Sequence, residues 1–243
     1  SKSNNAGANG NTYVIWNWKE DATAGFDIVA YTGNGSARTI SHSLSAVPNW
    51  MIVKGRSKAD GWFIFHKENT SAPETDFIRL DSTDATTDQN NIWNDTAPTS
   101  SVFTVGIDNG VNENTETYIA YLFAEKKGFS KFGTYNATGA TADATFIYTG
   151  FKPSLVIIKK INASDNWQIF DNKRDTNNPV KNLLYPNLND DERALSTGFL
   201  DLVSNGFKIR TTDAGVGGGD TYIYMAFAES PFVNSKGVPT TAR

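Results

Sequence analysis

The 243-residue chain offers little for imidazole chemistry and nothing for thiol chemistry: it has two histidines, His42 and His66, and no cysteine. Without cysteine there is no disulfide framework, thiolate metal site or cysteine nucleophile. His42 lies in Ser41-His42-Ser43, so a serine–histidine–aspartate site can be drawn around it. In a chain rich in Ser and Asp that drawing carries little weight, because a working site needs a defined constellation. His66 corresponds to Asp171 in the repeat described below, so its position does not demand imidazole. Glu20, Glu125 and Glu229 end three similar segments. The two carboxylates of a glycosidase play different roles, so a glutamate recurring at one place in every copy reads as structural. No catalytic residue is assigned, and the chain is expected not to be an enzyme.

Two groups of residues are candidates for binding. Asp81, Asp84, Asp88 and Asp95 crowd one stretch, and oxygen-rich loops hold Ca²⁺. Their spacing fits no EF-hand, and a solvated polar loop is the competing reading; the first three form the candidate metal site. Trp93, Asn94 and Asp95 form the candidate glycan site. An indole offers a face to sugar CH groups while amide and carboxylate take hydroxyls. The competing reading is an aromatic anchor tucked into the core. The glycine run at 215–219 lacks the Lys-Ser/Thr of a phosphate loop. No cofactor is expected.

The elements that must position these residues announce themselves as a repeat. Thr117-Tyr118-Ile119-Ala120-Tyr121-Leu122-Phe123-Ala124-Glu125 returns as Thr221-Tyr222-Ile223-Tyr224-Met225-Ala226-Phe227-Ala228-Glu229. Pro48 matches Pro153, Trp62-Phe63-Ile64-Phe65 matches Trp167-Gln168-Ile169-Phe170, and Phe103-Thr104-Val105 matches Phe207-Lys208-Ile209. A third, partial copy of the closing strand lies at 12–20, as Thr12-Tyr13-Val14-Ile15-Trp16-Asn17-Trp18-Lys19-Glu20. The closing strands are apolar on both faces, which places them mid-sheet. In the partial copy Asn17 and Lys19 make one face polar. That orphan strand is expected to pair with a sheet edge of its own chain or of a neighbour, with Val14, Trp16 and Trp18 inward. The spacing of Leu195, Phe199, Leu202 and Val203 hints at a helix over 190–205, although Gly198 weakens it.

The expected fold is all-β: two tandem antiparallel β-sandwiches, jelly-roll-like, at 23–127 and 128–232. An N-terminal arm with the orphan strand covers 1–22, and a C-terminal tail covers 233–243. Hydrophobic residues at 39% and charged residues at 20% suit a packed core. A net charge of −4 without a basic stripe argues against nucleic acid. No apolar run approaches the ~20 residues of a membrane helix, so membrane insertion is not expected. The start, Ser1-Lys2-Ser3, is no signal peptide and lacks Met, so the chain is read as a processed product or a piece of something longer.

Several strings carry a family resemblance. They include Ala24-Gly25-Phe26-Asp27-Ile28-Val29-Ala30-Tyr31-Thr32-Gly33-Asn34-Gly35, Trp93-Asn94-Asp95-Thr96-Ala97-Pro98, Gly128-Phe129-Ser130-Lys131-Phe132-Gly133 and Ser204-Asn205-Gly206-Phe207-Lys208-Ile209-Arg210. Over nearly the whole chain they resemble a tandem domain of phage virion structural and tail-fibre-like proteins, especially those of marine phages. The resemblance implies a place in the virion, after assembly in the host cytoplasm. The leading reading on that basis is a virion protein whose expected partners are a host-surface glycan or other virion proteins, with a homo-oligomer such as a trimer expected. The resemblance supplies no catalytic motif. The alternatives are a secreted or cell-surface carbohydrate-binding module and a glycan depolymerase.

Overall fold

Short β-branched and aromatic runs, interrupted by Gly, Asn and Thr, leave the backbone one regular option, the strand. A computed structural model describes residue 10 and residues 12–141 and 144–229. In the first half the strands are β1 (Phe26–Thr32), β2 (Arg38–Ser41), β3 (Trp50–Gly55), β4 (Trp62–His66), β5 (Asp76–Arg79), β6 (Thr87–Asp88), β7 (Val102–Val105) and β8 (Thr117–Phe123). The second half carries β9 (Ser130–Asn136), β10 (Phe146–Tyr148), β11 (Leu155–Lys160), β12 (Gln168–Asp171), β13 (Asn182–Leu183), β14 (Arg193–Ala194), β15 (Leu200–Val203), β16 (Gly206–Ile209) and β17 (Thr221–Phe227). These strands pair antiparallel throughout. The protein is all-β, built as sandwiches. Among the described residues no helix is long and apolar enough to cross a membrane.

The large sheet of the first half runs β1-β8-β3-β4-β5-β6, and that of the second runs β9-β17-β11-β12. Four strands therefore follow one order in both. A smaller layer lies across each large sheet, β2-β7 in the first half and β10-β16-β15 in the second. Side-chain contacts repeat with the strands. Tyr31 stacks on Tyr118 at 5.2 Å, and Tyr135 stacks on Tyr222 at 5.0 Å. The Tyr31 hydroxyl donates to Val111 O, and that of Tyr135 to Val216 O. Phenols packed inward that keep a partner add packing without an unmet polar group.

Each half has a core between its two layers. Met51, Val53, Phe103, Tyr118 and Leu122 belong to the first core; Val156, Phe170, Phe207, Tyr222 and Ala226 belong to the second. A third apolar layer lies between the two large sheets. Phe26, Trp50, Ile64 and Phe123 meet Phe132, Leu155, Trp167, Ile223, Met225 and Phe227 there. The halves are thus fused through a seam and are not beads on a linker. The seam explains why the closing strands are apolar on both faces: each faces its own core on one side and the other half on the other. A loop fastens the join. Thr83 O accepts from Lys159 Nζ and Asp165 N, Thr86 N donates to Ile161 O, and Trp167 Nε1 donates to Arg79 O at 2.8 Å. Trp62 and Trp167 hold equivalent places on the hairpin, yet Trp62 is half-buried and Trp167 fully buried. The seam covers the two copies unequally.

Two sequence expectations are corrected here. Residues 12–20 form no paired strand; the chain makes a single bridge, Asp21 to Phe26, before β1. Burial still alternates along the arm, with Val14, Trp16 and Trp18 half-covered and Ile15, Asn17 and Lys19 exposed. Trp18 meets Phe123 at 6.0 Å and Phe227 at 5.5 Å, edge to face. Its side chains dock on the rim of the seam, in cis, without its backbone joining a sheet. Residues 190–205 are not a helix. They enter β14, turn at Gly198 with φ 80°, and continue as β15, where Leu200 and Leu202 alternate inward. A left-handed glycine ends helical propagation. The expected C-terminal tail at 233–243 lies outside the described residues.

Candidate functional site

Trp93 closes a one-turn helix, α1 (Asn90–Trp93), and is 1% exposed. Its Nε1 donates to Asp76 O at 3.0 Å and its ring meets Phe65 edge-on. No face is left for a sugar, so Trp93 is a core anchor, and the glycan site built on it is withdrawn. Asn94 and Asp95 adopt left-handed φ values of 55° and 46° and are exposed beside it. Trp93→Phe is expected to lower stability by about 1–2 kcal/mol, because Asp76 O loses a buried donor. Urea denaturation checks it; an unchanged midpoint would show that the bond contributes nothing.

Asp81, Asp84 and Asp88 do not converge, and among the described residues no group of acidic or histidine side chains could hold a metal ion. Asp81 instead accepts from Trp62 N at 3.0 Å and pairs with Arg79 at 3.0 Å. Burial pushes its carboxyl up, but these two partners outweigh it, and the group sits below its ordinary value. Asp88 pairs with Asp76 along β6. The acidic stretch belongs to the loop that fastens the seam.

His42 uses both nitrogens on backbone groups: Nε2 lies 3.2 Å from Thr99 O, and Nδ1 accepts from Leu44 N. Glu125 pairs with Lys131 and Lys67, and Glu229 with Lys173. The glutamates that end the closing strands serve as ion-pair partners at the sheet ends.

A different surface stands out when the two small layers are compared position by position. In the second half Phe146 pairs with Lys208, and Tyr148 with Gly206; in the first half Thr39 pairs with Thr104, and Ser41 with Val102. The inward residues keep their character: Ile147, Phe207 and Ile209 stand where Ile40, Phe103 and Val105 stand in the first half. On the opposite face, where Thr39 and Ser41 are exposed but Thr104 is buried, the residue types change. Thr39 becomes Phe146, Ser41 becomes Tyr148, Thr104 becomes Lys208 and Val102 becomes Gly206. Phe146 is 47% exposed and Tyr148 64%. Packing of the fold therefore does not require them.

Packing and hydrogen bonds support this face from beneath and at its end. Ile147, Leu200, Leu202, Phe207 and Ile209 are buried beneath it. Asn205 O accepts from Thr149 N and Gly150 N, which pins the end of β10. A Cβ at position 206 would lie 2.0 Å from Ile147 O and 3.1 Å from the Phe146 ring, so only glycine lets strand and ring approach so closely. Across the same face Asp201 stands opposite Lys208, and Arg210 Nε lies 3.3 Å from the Asp201 carboxylate. Two exposed rings are thus flanked by Lys208, Arg210 and Asp201 on a supported sheet. Rings with a few polar groups at fixed positions are what stacking recognition uses.

Fold and face together describe a duplicated β-sandwich with one differentiated surface. The chain belongs to the family described as domain of unknown function DUF7483, whose family model matches residues 1–231. No curated protein and no solved structure matches it.

Proposed function

We propose that this protein is a non-catalytic attachment and assembly module of a phage virion, of tail-fibre type, and that it binds glycan through the outer face of β10, β16 and β15. The observation that supports the binding is the replacement of Thr39, Ser41 and Thr104 by Phe146, Tyr148 and Lys208 at matching positions of the duplicated layer. Thr39 and Ser41 are exposed, so the core does not call for their replacement by Phe146 and Tyr148. Sugar rings present CH faces to aromatic side chains and hydroxyls to charged groups, and this surface holds both kinds of partner. The virion setting rests on the family resemblance of the sequence. Assembly with other virion proteins, or as a homo-oligomer, belongs to the same reading.

The test is a titration with oligosaccharides released from a bacterial surface, followed by NMR shifts or calorimetry. Tyr148→Ala and Phe146→Ala are each expected to weaken binding by about 1 kcal/mol, roughly fivefold. Melting temperature is expected to hold for Tyr148→Ala, whose ring is 64% exposed, and to fall slightly for Phe146→Ala, whose ring is about half exposed. Binding undiminished in the double variant would sink the assignment of this face.

A further inference from the structure

We propose that the glycan this face takes is an acidic one, carrying a carboxylate that Lys208 holds; the inference rests on the glycan reading above. Lys208 stands in cross-strand register between Phe146 on β10 and Asp201 on β15. The nearest carboxylate on the face, that of Asp201, is engaged by Arg210. Among the described residues Lys208 makes no ion pair, whereas the half-buried Lys58 and the buried Lys160 each pair with two carboxylates. Its register counterpart in the first half, Thr104, is a buried neutral residue, so a half-exposed cation is particular to the second half.

The placement has chemical content. A pyranose stacked on an aromatic ring presents its exocyclic groups at the rim of that ring. Lys208 is the cross-strand partner of Phe146, so its ammonium can reach such a rim. A neutral sugar gives it hydroxyls. A uronic acid gives a carboxylate, and a charge-assisted hydrogen bond to it is the stronger contact. Asp201 would repel that carboxylate if it stood alone; neutralised by Arg210, it leaves the face with one uncompensated positive charge. Gly206, opposite Tyr148 and Val203, adds no side chain that would hold a sugar ring away from the strand.

The experiment compares a glucuronic acid oligomer with its carboxyl-reduced, neutral counterpart on the whole chain, by calorimetry at low and at physiological salt. The acidic oligomer is expected to bind about tenfold more tightly, with the advantage shrinking as salt rises. Lys208→Thr, which installs the residue of the first half, is expected to erase that preference, weakening the acidic oligomer by about tenfold and the neutral one, which loses only a hydroxyl contact, by much less. Tyr148→Ala is expected to weaken both ligands. Equal binding of the two oligomers by the unaltered protein would overturn the acidic assignment while leaving the glycan reading standing, as would a preference that survives Lys208→Thr. Binding of neither oligomer would overturn both.

Discussion

Trp167→Ala is expected to lower stability by about 3–5 kcal/mol and to melt both halves of the protein in a single, earlier transition. The indole is fully buried, lies 5.6 Å from Trp50 of the first half and donates to Arg79 O. Truncation leaves a cavity at the point where both large sheets meet, and it leaves a carbonyl of the other half without its donor. Neither half can compensate alone. The seam face of β8, with Phe123, and that of β17, with Ile223, Met225 and Phe227, would be exposed if one half unfolded and the other persisted. In a chain of this length a loss of that size lowers the melting temperature by roughly 10 °C. Calorimetry combined with fluorescence and circular dichroism gives the answer. Two separated transitions, with the first half unmoved by the substitution, would show that the halves are independent and that the seam is a mere contact.

The fusion of the halves also marks the limit of what the sequence makes legible. Period-two patterning in residues 117–125 and 221–229 shows that both faces of these strands are apolar. It cannot say which layer covers the second face, because a neighbouring strand, a helix and a whole second sandwich would all be satisfied by the same residues. The arm shows a similar division. Its alternation correctly turns Val14, Trp16 and Trp18 inward, since that depends only on the residues. Its backbone pairing depends on where an open edge lies in space, and the arm instead lays its indoles against Phe123 and Phe227.

At Trp93 the ambiguity is chemical. A large aromatic flanked by Asn and Asp suits an exposed platform and a loop anchor equally well. The deciding partner, Asp76 O, is seventeen residues away and invisible to pattern. The differentiated face was hidden for another reason. Most landmarks of the repeat recur at an offset of 104–105 residues, yet Ser41 and Tyr148 are matched only by their pairing to Val102 and Gly206. Extra residues between β9 and β10 break the offset there, so a fixed-offset alignment never sets Phe146 and Tyr148 beside Thr39 and Ser41. Strand register recovers the comparison. Lys208 against Thr104, and Gly206 against Val102, were the signs of the difference that the fixed offset did contain.

Acidification from pH 6.5 to 4.5 is expected to destabilise the protein through His66, by up to about 1.4 kcal/mol per pH unit. His66 is fully buried at the seam, between Trp50 and Phe132. Its Nε2–H faces Tyr224 O of the other half at 3.3 Å, and its Nδ1 accepts from Glu68 N at 3.1 Å. The neutral ring therefore has one donor and one acceptor, both used. A second proton on Nδ1 would point an N–H at the Glu68 N–H and place a charge in an apolar layer. Burial, with a smaller push from Lys67, outweighs the Tyr224 carbonyl and lowers the imidazole from 6.5 to about 3. The unfolded chain takes up a proton below about 6.5, and the folded chain does not until about 3. Stability from this group is thus complete above 6.5, falls as the pH drops, and levels off below about 3. Between 6.5 and 4.5 the buried imidazole acts ahead of carboxylates such as Asp81 and Glu229, which sit below their ordinary values and lose their partners only in stronger acid. Urea denaturation at half-unit steps measures the slope, and His66→Phe is the control. The phenyl ring fills the space between Trp50 and Phe132 but cannot titrate, so the slope over this window is expected to flatten. Some stability is lost at neutral pH, because Glu68 N and Tyr224 O lose their partner. An equally steep slope in His66→Phe would place the acid sensitivity elsewhere and leave His66 as a packing residue alone.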